Sequence, residues 1–95
     1  MLAKTIRADY GETVKVENNW TAETEKRGTT ISASTWVWFG AGTLGTQTLA
    51  TPITSVMLTP TWTGLLRNAV TLANGEALIK ERSVVVKPLN QLGGS

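Results

Sequence analysis

Apolar and polar positions alternate with a period of two along much of this chain. The cleanest case is 12–17, where Val14 and Val16 fall on one face and Thr13, Lys15 and Glu17 on the other. Successive side chains of a pleated strand point to opposite sides, so this pattern predicts a strand with one wet face. A weaker first strand is expected over 2–7, with Asp9 and Gly11 turning the chain. The polar stretch 21–28, carrying Glu23, Glu25, Lys26 and Arg27, is expected to form a loop or one helical turn. A long β-prone run over 29–39 is closed by the glycines at 40, 42 and 45. Two short strands, 46–51 and 53–59, are parted by Pro52, which has no N–H to give to a ladder, and Pro60 closes the second. The last two strands, 65–72 and 77–87, flank Asn74-Gly75. That pair is favoured in a type I′ hairpin turn, whose central residues both need positive φ. Pro88 ends the last strand.

The pattern therefore predicts about seven strands and no substantial helix. Composition agrees: sixteen threonines, eight valines, four isoleucines and four tryptophans are residue types that lose little on a pleated surface. The fold class expected is all-β, a small immunoglobulin-like antiparallel β-sandwich. With 95 residues there is room for one such domain, over 1–89, with 90–95 as a flexible C-terminal tail.

Charge and chemistry narrow the function. Nine Lys/Arg against seven Asp/Glu give a net charge of +2, with the cations scattered rather than clustered. Nucleic-acid modules gather theirs on one face, so no nucleic-acid partner is expected. The first ten residues carry no apolar run long enough for a secretion signal, and no segment has the composition of a membrane span. A protein made in a cytoplasm is the expectation. The chain has no histidine and no cysteine, which excludes Ser-His-Asp and Cys-His nucleophiles, the usual zinc cages, haem ligation by His, and disulfides. No cofactor, no metal and no enzymatic activity are expected.

Some patterns resemble functional motifs without the context those motifs need. Gly40-Ala41-Gly42-Thr43-Leu44-Gly45 spells GxGxxG, but a dinucleotide site needs a helix next and an acidic residue about twenty positions on. Here a β-prone stretch follows, and position 65 is leucine; the stretch is expected to be a mobile loop between strands. Asn19-Trp20-Thr21 matches a glycosylation sequon only by pattern. Glu23 and Glu25 sit beside Lys26 and Arg27 in a polar stretch, unlike a pair of carboxyls facing each other across a pocket. The tryptophans are more informative. Trp36 and Trp38, two apart on one strand, share a face; Trp20 and Trp36 are expected in the core. Trp62, in the turn-like Pro60-Thr61-Trp62-Thr63-Gly64, is the best candidate for exposure.

Three stretches carry a resemblance. Gly28-Thr29-Thr30-Ile31-Ser32-Ala33-Ser34-Thr35-Trp36 resembles the G-D-T-I-x-x-S-T-W stretch of small immunoglobulin-like virion proteins of tailed phages, the fiber-tail adaptor family. Val16-Glu17-Asn18-Asn19-Trp20 looks like that family's strand ending in tryptophan. Asn68-Ala69-Val70-Thr71-Leu72-Ala73-Asn74-Gly75-Glu76, with Glu81-Arg82-Ser83-Val84-Val85-Val86, is similar to its final hairpin. The three keep the family's order within 14–87. The resemblance implies a non-enzymatic component of a virion, assembled in the bacterial host cytoplasm, at the neck or tail. It would be present in several copies and bridge neighbouring virion proteins or attach fibers. Candidate partner contacts are Trp38, Gly42, Thr43, Leu44, Trp62 and Leu65. Two alternatives stand beside it: a capsid decoration protein, and a carbohydrate-binding module using exposed tryptophan.

Overall fold

The computed structural model describes residues 5–87. The chain runs β1 (Ile6–Asp9), β2 (Val14–Asn19), α1 (Thr21–Arg27), β3 (Ile31–Phe39), β4 (Gly42–Ala50), β5 (Ile53–Pro60), β6 (Gly64–Leu72) and β7 (Ala77–Lys87). Seven strands form two sheets, ordered β1-β7-β6-β3 and β2-β5-β4. Lettered A to G in chain order, they read A-G-F-C packed on B-E-D. That is the immunoglobulin arrangement with the first strand transferred to the sheet of the last.

Alternation decides what lies between the sheets. Val16 on β2, Val56 and Leu58 on β5, Trp36 on β3, Leu66 on β6 and Val84 and Val86 on β7 form one buried cluster. Trp20, Ile31, Val70 and Leu72 form a second. On β6 the inward positions read Leu66, Asn68, Val70, Leu72, so a polar layer separates the two clusters. Asn68 Oδ1 accepts from Asn18 Nδ2 (3.1 Å), Trp20 Nε1 (3.2 Å) and Thr54 Oγ1 (2.6 Å). Its Nδ2 donates to Ser34 Oγ and to the Thr35 carbonyl, both at 3.0 Å. Asn18, Thr54 and Asn68 are each 1% exposed or less; the shared acceptor offsets part of their cost of burial, while Asn18 Oδ1 is left unpaired.

Trp20 and Trp36 are buried, as expected, and Trp38 is half-buried. Other expectations need correction. The sandwich is not antiparallel throughout: β1 pairs in parallel with β7, Ile6 opposite Val84 and Asp9 opposite Lys87. Asp9 therefore belongs to the strand rather than the turn, and Tyr10 N–H extends the ladder to the Lys87 carbonyl at 3.1 Å. Strand positions 2–4 and the tail at 90–95 lie outside the described residues.

The 21–28 stretch is a seven-residue helix, longer than a single turn. Asn19 Oδ1 accepts the Thr21 N–H at its start, and the Gly28 and Thr29 N–H groups bond back to Glu25 and Thr24 at its end. Glu23 in the first turn and Lys26 and Arg27 in the last suit the helix dipole. Among the described residues no helix is long and apolar enough to cross a membrane.

The predicted loop at 40–45 shrinks to Gly40-Ala41, because β4 begins at Gly42 and pairs Gly42 with Pro60, Thr43 with Thr59 and Leu44 with Leu58. Finally, Asn74 does not adopt positive φ, so the β6–β7 reversal is not type I′. Gly75 N–H bonds to the Leu72 carbonyl (2.9 Å) and Gly75 alone takes a positive φ of 94°. The result is a longer loop that returns at Glu76, whose carbonyl accepts the Leu72 N–H.

Candidate interaction surface

A sandwich ordinarily keeps polar side chains on its outer faces. The outer face of the four-stranded sheet departs from this. Across β3, β6 and β7 the outward residues line up in rows: Phe39, Leu65 and Ser83; Val37, Arg67 and Glu81; Thr35, Ala69 and Ile79; Ala33, Thr71 and Ala77. Val85, opposite Arg7 of β1, completes it. Phe39 is 48% exposed, Val37 42%, Ile79 59% and Val85 38%. Apolar side chains grouped in this way on an outer face make it a candidate interaction surface.

The charges on β6 and β7 within it are arranged to be quiet. Arg67 Nη2 lies 2.7 Å from Glu81 Oε2 across the β6–β7 ladder, and the guanidinium sits 5.1 Å from the Phe39 ring centroid. Both partners remain partly exposed, so the pair is expected to couple by no more than about 1 kcal/mol in a double-mutant cycle of Arg67→Ala and Glu81→Ala. Thermal unfolding of the two single variants and the double variant measures it.

The candidate residues named from the sequence occupy one end of the sandwich and the adjoining edge. Trp62 is 59% exposed in the turn between β5 and β6. Leu65 lies on the outer face beside Phe39. Trp38 is held inside the fold's end: its Nε1 donates to the Ala41 carbonyl at 2.9 Å. Its ring lies so close to Gly40 and Gly64 that a Cβ at either would come within 2.7–2.8 Å of it. Gly42 is pressed against β5, while Leu44 is half-buried and packs on the larger core cluster. Of these six candidates, Thr43 and Trp62, with part of Leu65, keep side chains available at this end.

Sequence reasoning missed Val37, Phe39, Ile79 and Val85. The signal was there: Trp36-Val37-Trp38-Phe39 and Val84-Val85-Val86 are apolar at both parities, and a strand apolar on both sides is covered on both sides.

At the opposite end the electrostatics are structural. Lys80 Nζ reaches Glu23 Oε2 (3.1 Å) and the Asn19 carbonyl (3.0 Å) and lies 4.5 Å from the Trp20 ring centroid, tying α1 to β7. Burial raises the Glu23 carboxyl, but a backbone N–H, the Lys80 ammonium and Arg27 together outweigh it and hold it below its ordinary value. Hydrogen bonds from Asn74 and Arg27 lower Glu76 in the same direction. A carboxyl lowered on folding stabilises the native state above its unfolded pKa and loses that contribution as pH falls through the folded one. With no histidine present, no side chain of ordinary pKa titrates between about pH 5 and 8. The melting temperature is therefore expected to be flat near neutrality and to fall below about pH 4.3, with Glu23→Gln reducing that acid slope in a pH series of thermal melts.

No three His, Cys, Asp or Glu residues come together as a metal-binding group among the described residues. Comparison of the chain with protein-family models, curated proteins and solved structures finds no match in any of the three.

Proposed function

We propose that this chain is a non-enzymatic structural component of a tailed-phage virion, an adaptor at the neck or tail that bridges neighbouring virion proteins or attaches fibers. The observation that carries the reading is the outer face around Val37, Phe39, Leu65 and Ile79. It is a flat apolar surface with its central charges paired to each other, suited to burial against another protein rather than to chemistry on a small molecule. The three-block resemblance to phage immunoglobulin-like proteins supports the same reading, as does the absence of histidine and cysteine from the sequence. The other virion proteins are its partners, and the virion, assembled in the host cytoplasm, is its location.

The test is to purify particles from an infected host, quantify the chain against the major capsid protein, and locate it by electron cryomicroscopy. A dozen or fewer copies at the neck or tail is the expected result. Hundreds of copies on the capsid lattice would make it a decoration protein, and its absence from particles would overturn the reading altogether. The exposed Trp62 ring favours one second reading, a carbohydrate-binding surface. That reading requires glycan-dependent quenching of Trp fluorescence that Trp62→Ala abolishes.

A further inference from the structure

The edge of a sheet offers unpaired N–H and C=O groups to any other strand, and folded proteins close such edges with charge, brevity or a cover. β1 has four residues and carries Arg7 and Asp9. β2 carries Lys15 and Glu17, and two cations from β7 cap its carbonyls: Arg82 Nη2 bonds to Glu17 O at 2.8 Å and Lys80 Nζ to Asn19 O at 3.0 Å. The edge strand β3 lies beside β4, and the Ile31 N–H is taken by Thr51 Oγ1 at 3.1 Å. β4 also touches β3, but it has neither charge nor brevity to close its edge, and among the described residues no side chain caps its backbone. It is nine residues long, carries no charge, pairs among the described residues with β5 alone, and is exposed at every position except Leu44. A bulge between Leu44 and Gln47 leaves 47–50 in regular register with β5. There Gln47 and Leu49 stand opposite Val56 and Thr54, both buried, so they lie on the core side of the sheet. Both are nonetheless exposed, Leu49 by 38%.

We propose that residues 46–50 of β4 are where a second copy of this chain adds, strand to antiparallel strand about a two-fold axis, joining two three-stranded sheets into one of six. Charge argues for a copy of itself as the occupant. Residues 28–66 contain no Lys, Arg, Asp or Glu, so two molecules that each carry +2 meet through a flank with nothing to repel and no charge to desolvate. A partner chosen by charge would find no counter-charge there. A two-fold axis normal to the sheet also keeps the core-side residues of both copies on one face. In a register centred on Thr48, Gln47 of one copy faces the partner's Leu49 and covers the apolar surface that Leu49 leaves open. The inference concerns the β4 edge and stands apart from the virion reading, which rests on the outer face.

Sedimentation of the full chain over a concentration series, with hydrogen exchange of the β4 amides, tests it. The expected result is a monomer–dimer equilibrium that hardly responds to salt, with alternate amides of 46–50 gaining protection as concentration rises. Thr48→Lys is expected to weaken association by about tenfold or more, because a charge on an edge blocks strand addition. The dilute chain should melt unchanged, and Val37→Lys on the outer face should leave the dimer intact. A chain that stays monomeric to millimolar concentration, or a dimer weakened by Val37→Lys and not by Thr48→Lys, overturns the proposal.

Discussion

Replacing Asn68 with leucine is expected to destabilise the domain by about 3 kcal/mol or more, although leucine suits a buried strand position and has the same branched outline. Asn68 is wholly buried and makes five side-chain hydrogen bonds. Without its oxygen, the Asn18 amide and the Thr54 hydroxyl proton lose their acceptor. Without its Nδ2, Ser34 Oγ and the Thr35 carbonyl lose a donor. Each buried polar group left unpaired costs about 1–3 kcal/mol, and leucine can satisfy none of them. Trp20 Nε1 keeps Thr54 Oγ1 at 3.0 Å, which limits the loss. Against a total stability of about 5–15 kcal/mol this is a large fraction, and for a domain of this size it lowers the melting temperature by about 12–24 °C. Asn18→Leu is the control. Asn18 Oδ1 is buried with no partner, so that substitution removes one hydrogen bond and one unpaired acceptor together. It is expected to cost about 1 kcal/mol or less. Thermal melts of both variants decide the matter, and equal losses would mean the polar layer is not organised around Asn68.

The same residues show what could be read beforehand. Val14, Val16, Asn18 and Trp20 share a parity, as do Leu66, Asn68, Val70 and Leu72. The asparagines thus stood at core positions in the pattern itself, but which strand would face which was not in it. A hydrogen bond joining positions 18 and 68 depends on the pairing of the sheets, a long-range matter that local periodicity does not encode. The parallel β1–β7 pair escaped for the same reason. At β3 the register slips at Ser32, so Ile31 and Trp36 both face inward at opposite parities; strict alternation would have sent one of them to solvent. The helix runs longer than the loop or single turn expected because its sequence, polar but for Ala22, has no apolar stripe, and its ends are fixed by Asn19 and by Gly28. The outer-face patch was legible as apolar runs at both parities, but its extent needed three strands set side by side.

The glycines at 40, 42 and 45 separate the two readings of that stretch most sharply. If it were a mobile loop, alanine would be tolerated at all three. In the strand that the structure contains, the outcomes diverge. Gly42 has φ of 122°, a conformation L side chains rarely adopt, and a Cβ there would fall 2.3 Å from the Thr59 carbonyl oxygen and 2.8 Å from Pro60 Cα. Both obstacles are backbone of the strand it pairs with, so relief requires β4 and β5 to part. Gly42→Ala is expected to cost about 3 kcal/mol, combining backbone strain with lost pairing, and to lower the melting temperature by about 12–24 °C. At Gly40 the three atoms nearest a Cβ all belong to the Trp38 ring, the closest at 2.7 Å. A side chain can move where a backbone cannot, so Gly40→Ala should cost less while shifting Trp emission as the indole leaves the Ala41 carbonyl. At Gly45 the nearest atoms are Met57 Cβ and O at 3.4 Å, an ordinary contact, and alanine there should change stability by no more than about 1 kcal/mol. Melting curves for the three variants, with fluorescence for the first position, give the ranking. A flat ranking would return 40–45 to a loop and remove the edge strand on which self-association depends.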